Sequence, residues 1–169
     1  MEIALLSKNS LRIKGKNSVL VVDPSEKSVS NAALILGSVL NGVKTEGADI
    51  VINGPGEYET GGIKITGIKS EADLIYSMTV DSVSVIVGKV NSLSGLQNKL
   101  KESNVLVVNC DKVMDASFLT GLATNVIIFY GENATDIAKA LGQENVKHMP
   151  KYAATIDKLP TEVETVILE

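Results

Sequence analysis

Ten residues constrain this fold more than any others. Asn53-Gly54-Pro55-Gly56-Glu57-Tyr58-Glu59-Thr60-Gly61-Gly62 places four glycines and a proline between two apolar runs, 49–52 and 63–68. A helix cannot accommodate that composition, since each interior glycine costs about 1 kcal/mol and a proline about 3 kcal/mol. Glycine reaches φ > 0 without strain and proline fixes φ at about −65°, so the stretch reads as tight turns between strands. Among Gly54, Gly56, Gly61 and Gly62 it predicts at least one positive φ.

The flanks agree with a strand-rich chain. Residues 2–6 and 10–14 are short apolar runs, and Leu11 and Ile13 alternate with Arg12 and Lys14 at the period of a half-buried strand. Ser18-Val19-Leu20-Val21-Val22 follows the turn Gly15-Lys16-Asn17 and ends at Asp23-Pro24. These three strands form an antiparallel meander. Residues 49–88 read as a run of strands: 49–52, the turn-rich stretch, 63–68, 73–79 and 82–88. Residues 31–40 are apolar almost all round and fit either a short helix or a buried strand.

From about residue 93 the rhythm changes. Leu93, Leu96 and Leu100 share one face of a helix predicted to end near Ser103-Asn104, and Val105-Leu106-Val107-Val108 reads as a buried strand. A short element over 113–123 leads to the strand 126–129. A helix over 136–141 stops at Gly142. Residues 152–157 and 163–168 finish as strands. With 169 residues and no linker, repeat or low-complexity tract, one domain over 1–169 is expected.

Composition narrows the function classes. A net charge of −4 argues against nucleic acid, because phosphate binding needs a basic face. The single cysteine, Cys110, leaves no internal disulfide and no Cys-rich zinc site. The N-terminal residues lack a signal-peptide pattern, and no run has the length of a membrane helix. A cytoplasmic protein that binds neither membrane nor nucleic acid is the expectation.

Ser10-Leu11-Arg12-Ile13-Lys14-Gly15 followed by Leu20-Val21-Val22-Asp23-Pro24 resembles the opening of metallo-β-lactamase-fold proteins. Gly54-Pro55-Gly56-Glu57-Tyr58-Glu59, Gly61-Gly62-Ile63 and Thr66-Gly67-Ile68 are similar to a segment of the branch related to L-ascorbate 6-phosphate lactonase. Lys158-Leu159-Pro160 with Glu164-Thr165-Val166-Ile167-Leu168 is similar to that branch's ending. The resemblance implies an αββα sandwich, compact or truncated, in which two mixed sheets pack face to face with helices on their outer faces. It also implies chemistry in which two metal ions, held by histidines and carboxylates, activate a water.

The departures bear on that chemistry. The family's HxHxDH run is absent: Ala48-Asp49-Ile50-Val51-Ile52 leads straight into Asn53-Gly54-Pro55. Lys69-Ser70, Val87 and Ile128-Phe129-Tyr130 stand where further histidines belong, and His148 is the single histidine of the chain. One histidine does not furnish a two-metal site. No metal ligand, cofactor or catalytic residue is therefore assigned.

The residues left at the edge of the ancestral site are Asp23, Asp49, Glu57, Tyr58, Glu59, Cys110 and Tyr130. Asp23, Asp49, Glu57 and Glu59 would bind a cation through oxygen if they clustered, and otherwise serve turn amides or face water. Cys110 follows a buried strand, where a nucleophile could sit, but no base is identifiable and a buried cysteine usually acts as a small hydrophobe. Two readings stay open: a non-catalytic binding or assembly module, and a metal-dependent hydrolase with an altered carboxylate-rich site. The apolar segment 31–40 needs cover on both faces. A homo-oligomer, a dimer first, with Leu34, Leu36 and Val39 at the contact would supply it. Filling of the vacated groove within one chain is the alternative.

Overall fold

The computed structural model describes residues 1–25, 31–37, 43–71, 73–96, 100, 102–143 and 145–169. The strands are β1 (Glu2–Ser7), β2 (Ser10–Lys14), β3 (Val19–Val22), β4 (Ala33–Ile35), β5 (Ile50–Ile52), β6 (Gly56–Thr60), β7 (Ile63–Ser70), β8 (Asp73–Val80) and β9 (Val83–Lys89). After helix α1 (Val90–Gly95) come β10 (Ser103–Asn109), β11 (Thr124–Tyr130), helix α2 (Ala134–Ala140), β12 (Lys147–Met149), β13 (Lys151–Ala153) and β14 (Glu164–Leu168). Among the described residues they form two mixed sheets, ordered β13-β1-β2-β3-β4-β5 and β12-β14-β11-β10-β9-β8-β7-β6.

Alternation of side chains builds the layers. Leu20 and Val22 of β3, Ala33 and Ile35 of β4, and Ile52 of β5 point between the sheets. There they meet Val83, Val85 and Val87 of β9, Val105 and Val107 of β10, and Val126, Ile128 and Tyr130 of β11. The intervening residues Ile86, Leu106, Val108, Ile127 and Phe129 point outward and pack under Val90 and Leu93 of α1 and Ile137 and Ala138 of α2. The β9–β11 strands are thus buried on both faces, which is why they read as near-continuous apolar runs. α2 ends in a Schellman motif. The Gly142 and Gln143 amides donate to the Lys139 and Ala138 carbonyls at 2.9 and 3.0 Å, with Gly142 at φ +75°.

Of the two readings left open for 31–40, the described part takes the buried strand: β4 is paired in parallel with both β3 and β5. Leu34 faces the outer side with Val21 and Ala32, while Ile35 faces the inter-sheet core. A central strand covered on two faces explains the unbroken apolar run. Other expectations need correction. Leu34 and Leu36 are 0% and 2% exposed within the single chain, so they are not free for the subunit contact expected of them. Val39 lies outside the described residues.

The turn-rich stretch also holds a strand. Residues 56–60 form β6, paired antiparallel with β7, because the turn proper is confined to Gly61-Gly62. Their φ values of +54° and +77° fit the two-residue turn that matches strand twist. The helix over 93–104 is corrected at its ends: α1 spans Val90–Gly95 and β10 begins at Ser103, while 97–99 and 101 lie outside the described residues. The strand expected at 152–157 is divided into β13 and a 3₁₀ turn at 156–158, and β12 precedes it. Among the described residues, no helix is long and apolar enough to cross a membrane.

Candidate functional site

The parallel strands β9, β10 and β11 end together, and at that end Lys89, Asn109 and Tyr130 stand in register after buried apolar runs. The carboxyl ends of parallel strands are where ligand sites form in open α/β sheets. Asp23 reaches the same place from the other sheet, one residue beyond β3. Its φ of +45° is uncommon for a residue with a Cβ, and its amide is held by the Ile35 carbonyl at 2.8 Å. Its Oδ1 accepts the Gly37 amide at 2.7 Å. A Cβ on Gly37 would stand 3.0 Å from Asp23 Oδ2, so that position suits glycine.

Lys89 carries the positive charge. Its ammonium lies 3.1 Å from Asp73 Oδ1 and 3.8 Å from Asp111 Oδ2, with the lysine side chain 22% exposed. Asp73 Oδ2 accepts the Ser92 hydroxyl at 3.2 Å, and the Ser92 carbonyl accepts the Ser70 hydroxyl at 2.9 Å. Burial pushes the Asp23 carboxyl above the ordinary carboxylate range, with Asp73 adding to the effect. The Gly37 amide and the Lys89 charge oppose it. Burial likewise drives the Tyr130 phenol far up, reinforced by Asp23 and opposed by the Asn109 side chain.

The space enclosed is small. Asp23, Gly37, Leu74, Tyr76, Lys89, Asn109 and Tyr130 are among the residues around a cavity of about 10 Å³, room for one water. The chain's own Leu36-Gly37 segment closes it. The Leu36 carbonyl accepts the Tyr76 hydroxyl at 2.8 Å, and the Gly37 carbonyl accepts the Leu74 amide at 2.7 Å. Both bonds cross from one sheet to the other.

The residues singled out in the sequence are spread apart. Asp23 and Tyr130 meet at the cavity. Cys110 directly follows the cavity residue Asn109, but its thiol packs on the outer face of the larger sheet, under the helices. Burial pushes it up to about 12. Tyr58 donates to the Gly54 carbonyl at 3.0 Å and packs against the inter-sheet core. Glu57 and Glu59 are exposed on the edge strand β6. Asp49 precedes β5 and therefore lies at the opposite end of that parallel strand from Asp23. The four carboxylates proposed as a cluster do not converge. Lys89, Asp73, Asn109, Ser92 and Tyr76 were missed as site residues. The available signal was a polar residue closing each buried run, Lys89 after Val87-Gly88 and Asn109 after Val108.

Solved structures confirm the architecture. A Thermotoga maritima protein of the metallo-β-lactamase superfamily superposes with a TM-score of 0.77 at 17% identity, over 100% of this chain and 99% of that one. A protein from Parabacteroides distasonis gives 0.61 at 13% identity over 99% and 93%. The metallo-β-lactamase fold protein YhfI of Bacillus subtilis gives 0.58 at 8% over 98% and 95%. No protein-family profile matches the chain, and no curated protein matches it. The chain is a metallo-β-lactamase-fold protein.

Zinc is the group that this fold brings to mind, and the residues present do not fit it. Among the described residues, no three His, Cys, Asp or Glu side chains are placed to hold a metal ion together. His148 stands on β12, four strand positions from β9, roughly 19 Å at the usual strand spacing. Its Nδ1 is paired with Glu169 at 2.9 Å. The carboxylates that do approach the cavity have an ammonium between them and not imidazole nitrogen.

Proposed function

We propose that this chain is a non-catalytic member of its fold class, a binding or assembly module that has kept the sandwich without the metal chemistry. One observation carries the reading: Leu36-Gly37 is hydrogen-bonded across the end of the sandwich to Leu74 and Tyr76, and within its own sheet to Asp23. What remains there has about the volume of one water, whereas a small-molecule site encloses roughly 300–1,000 Å³. A hydrolase needs space for substrate, nucleophile and leaving group together. The donor set adds support, since it offers carboxylates already engaged and no imidazole.

The test is metal content and turnover of the purified full chain. Hydrolysis of phosphoester, lactone and β-lactam substrates is measured with and without added zinc, manganese and iron. The expected result is no turnover above buffer under any condition. Turnover that appears with added metal would establish the alternative, a metal-dependent hydrolase with an altered carboxylate-rich site.

A further inference from the structure

We infer that the Lys89 ammonium is the resident cation of this end of the fold, occupying in covalent form the electrostatic position that a metal ion would fill. The inference rests on the non-catalytic reading and deepens it by saying what holds the site together. Asp73 and Asp111 approach Lys89 Nζ at 3.1 and 3.8 Å from different elements, and Asp23 lies across the cavity. Three carboxylates at one end of a sandwich repel one another unless a positive charge stands among them. An ammonium supplies that charge together with three N–H donors and demands no coordination geometry.

Asp73 Oδ1 accepts one of the three donors, and Asp111 Oδ2 at 3.8 Å is an ion-pair partner beyond hydrogen-bond reach. Asn109, 3% exposed, lines the same cavity, and its side-chain oxygen has no partner among the described residues. Lys89 thus has donors to spare at an end that also holds an acceptor without a partner, as a resident cation would. Being part of the chain, Lys89 is present at an effective concentration that a free ion must exceed to displace it. A divalent ion would have to expel the ammonium, and among the described residues it would meet no ready-made group of three His, Cys, Asp or Glu ligands. The misfit to zinc is thus a consequence of a lysine that does a cation's electrostatic work.

The experiment is a charge-compensation cycle read by thermal unfolding, with metal uptake measured by elemental analysis after dialysis. The wild type is expected to take up no stoichiometric zinc or manganese, and to show the same Tm with EDTA or with millimolar calcium or manganese. Lys89→Met should lower Tm and make it sensitive to millimolar divalent cations, because bare carboxylates form a weak oxygen site. Lys89→Arg should stay insensitive. Lys89→Met combined with Asp73→Asn should recover part of the lost Tm, and it serves as the folded test protein if Lys89→Met alone does not fold. Stoichiometric metal in the wild type that disappears in Asp73→Asn overturns the inference. So does a double variant no more stable than Lys89→Met, or a folded Lys89→Met whose Tm ignores divalent cations. Metal-free turnover by the wild type would end the non-catalytic reading and leave the role of Lys89 standing. An inert wild type with a cation-indifferent Lys89→Met would end the inference alone.

Discussion

The Tyr76 hydroxyl, on β8 of the larger sheet, donates to the Leu36 carbonyl at the end of β4 in the smaller sheet at 2.8 Å. It also reaches the Ile52 carbonyl at the end of β5 at 3.2 Å. One side chain therefore serves two strand ends that lie across the core from it. Burial drives its phenol far above the ordinary range, with Tyr58 and Asp23 adding to the effect and the Leu36 bond opposing it. In both contacts the hydroxyl is the donor, because a carbonyl oxygen can only accept.

Tyr76→Phe removes that donor without opening a large cavity. The Leu36 and Ile52 carbonyls then lose a partner in a buried place. The expected loss is about 1–3 kcal/mol of unfolding free energy, measured by urea denaturation. An unchanged midpoint would mean that the bond adds nothing to the closure of this end.

Gly67 and Gly62 separate two reasons for glycine. A Cβ on Gly67 would stand 2.5 Å from the Gly54 carbonyl oxygen and 3.4 Å from Pro55 Cα, both backbone atoms. A Cβ on Gly62 would touch nothing within 4 Å, and only its φ of +77° resists replacement. Gly67→Ala should cost about 1–3 kcal/mol as the strands are forced apart. Gly62→Ala should cost about 1 kcal/mol, the strain of a left-handed conformation. If chemical denaturation ranked Gly62→Ala as the more damaging, the close passage of Gly54 over Gly67 would be refuted.

These contrasts show what a sequence can and cannot reveal. The meander of β1 to β3 was legible because Leu11, Ile13, Leu20 and Val22 follow the two-residue period, and one face of each strand meets the core. Gly142 was legible as a helix stop because a C′ residue must take φ > 0. β4 was not, because a strand covered on both faces loses its alternation and its parallel partners lie far along the chain. β6 was obscured because Gly54-Pro55 and Gly61-Gly62 bracket only five residues. The site was half legible. Asp23 and Tyr130 were found from their motifs, but the convergence of Asp73, Lys89 and Asp111 depends on register between strands, which no local pattern encodes.

Cys110 offers a direct check on which face its side chain occupies. Burial pushes its thiol up to about 12, with Asp111 adding to the effect and the Tyr130 backbone contact opposing it. The thiolate is the reactive form, so the native protein should resist a thiol reagent at mildly alkaline pH. Labelling should become complete in denaturant. Rapid labelling of the native chain would place the thiol at the surface and reopen its candidacy as a nucleophile.

Asp23 should leave a pH signature of defined sign. Its folded pKa is raised, by burial first, above the ordinary value of about 4. The folded state therefore binds its proton more tightly than the unfolded state does. The associated stability is complete below the ordinary value and is lost as pH rises through the raised one. Asp23→Asn removes the titration while keeping an Oδ1 acceptor for the Gly37 amide, and asparagine tolerates the positive φ. Relative to wild type, the variant should gain stability as pH rises from about 4 to neutrality. Asp115 provides the opposite control: amide and hydroxyl contacts from Ser117 hold its carboxyl low, so its contribution is present above the ordinary range and lost on acidification. Asp115→Asn should therefore lose stability relative to wild type as pH rises to about 4, and run parallel to it above that value. Denaturation midpoints of the three proteins from acid to neutral pH are the measurement. Parallel curves for wild type and Asp23→Asn would show that the Asp23 carboxyl is not perturbed by its place at the closed end of the sandwich.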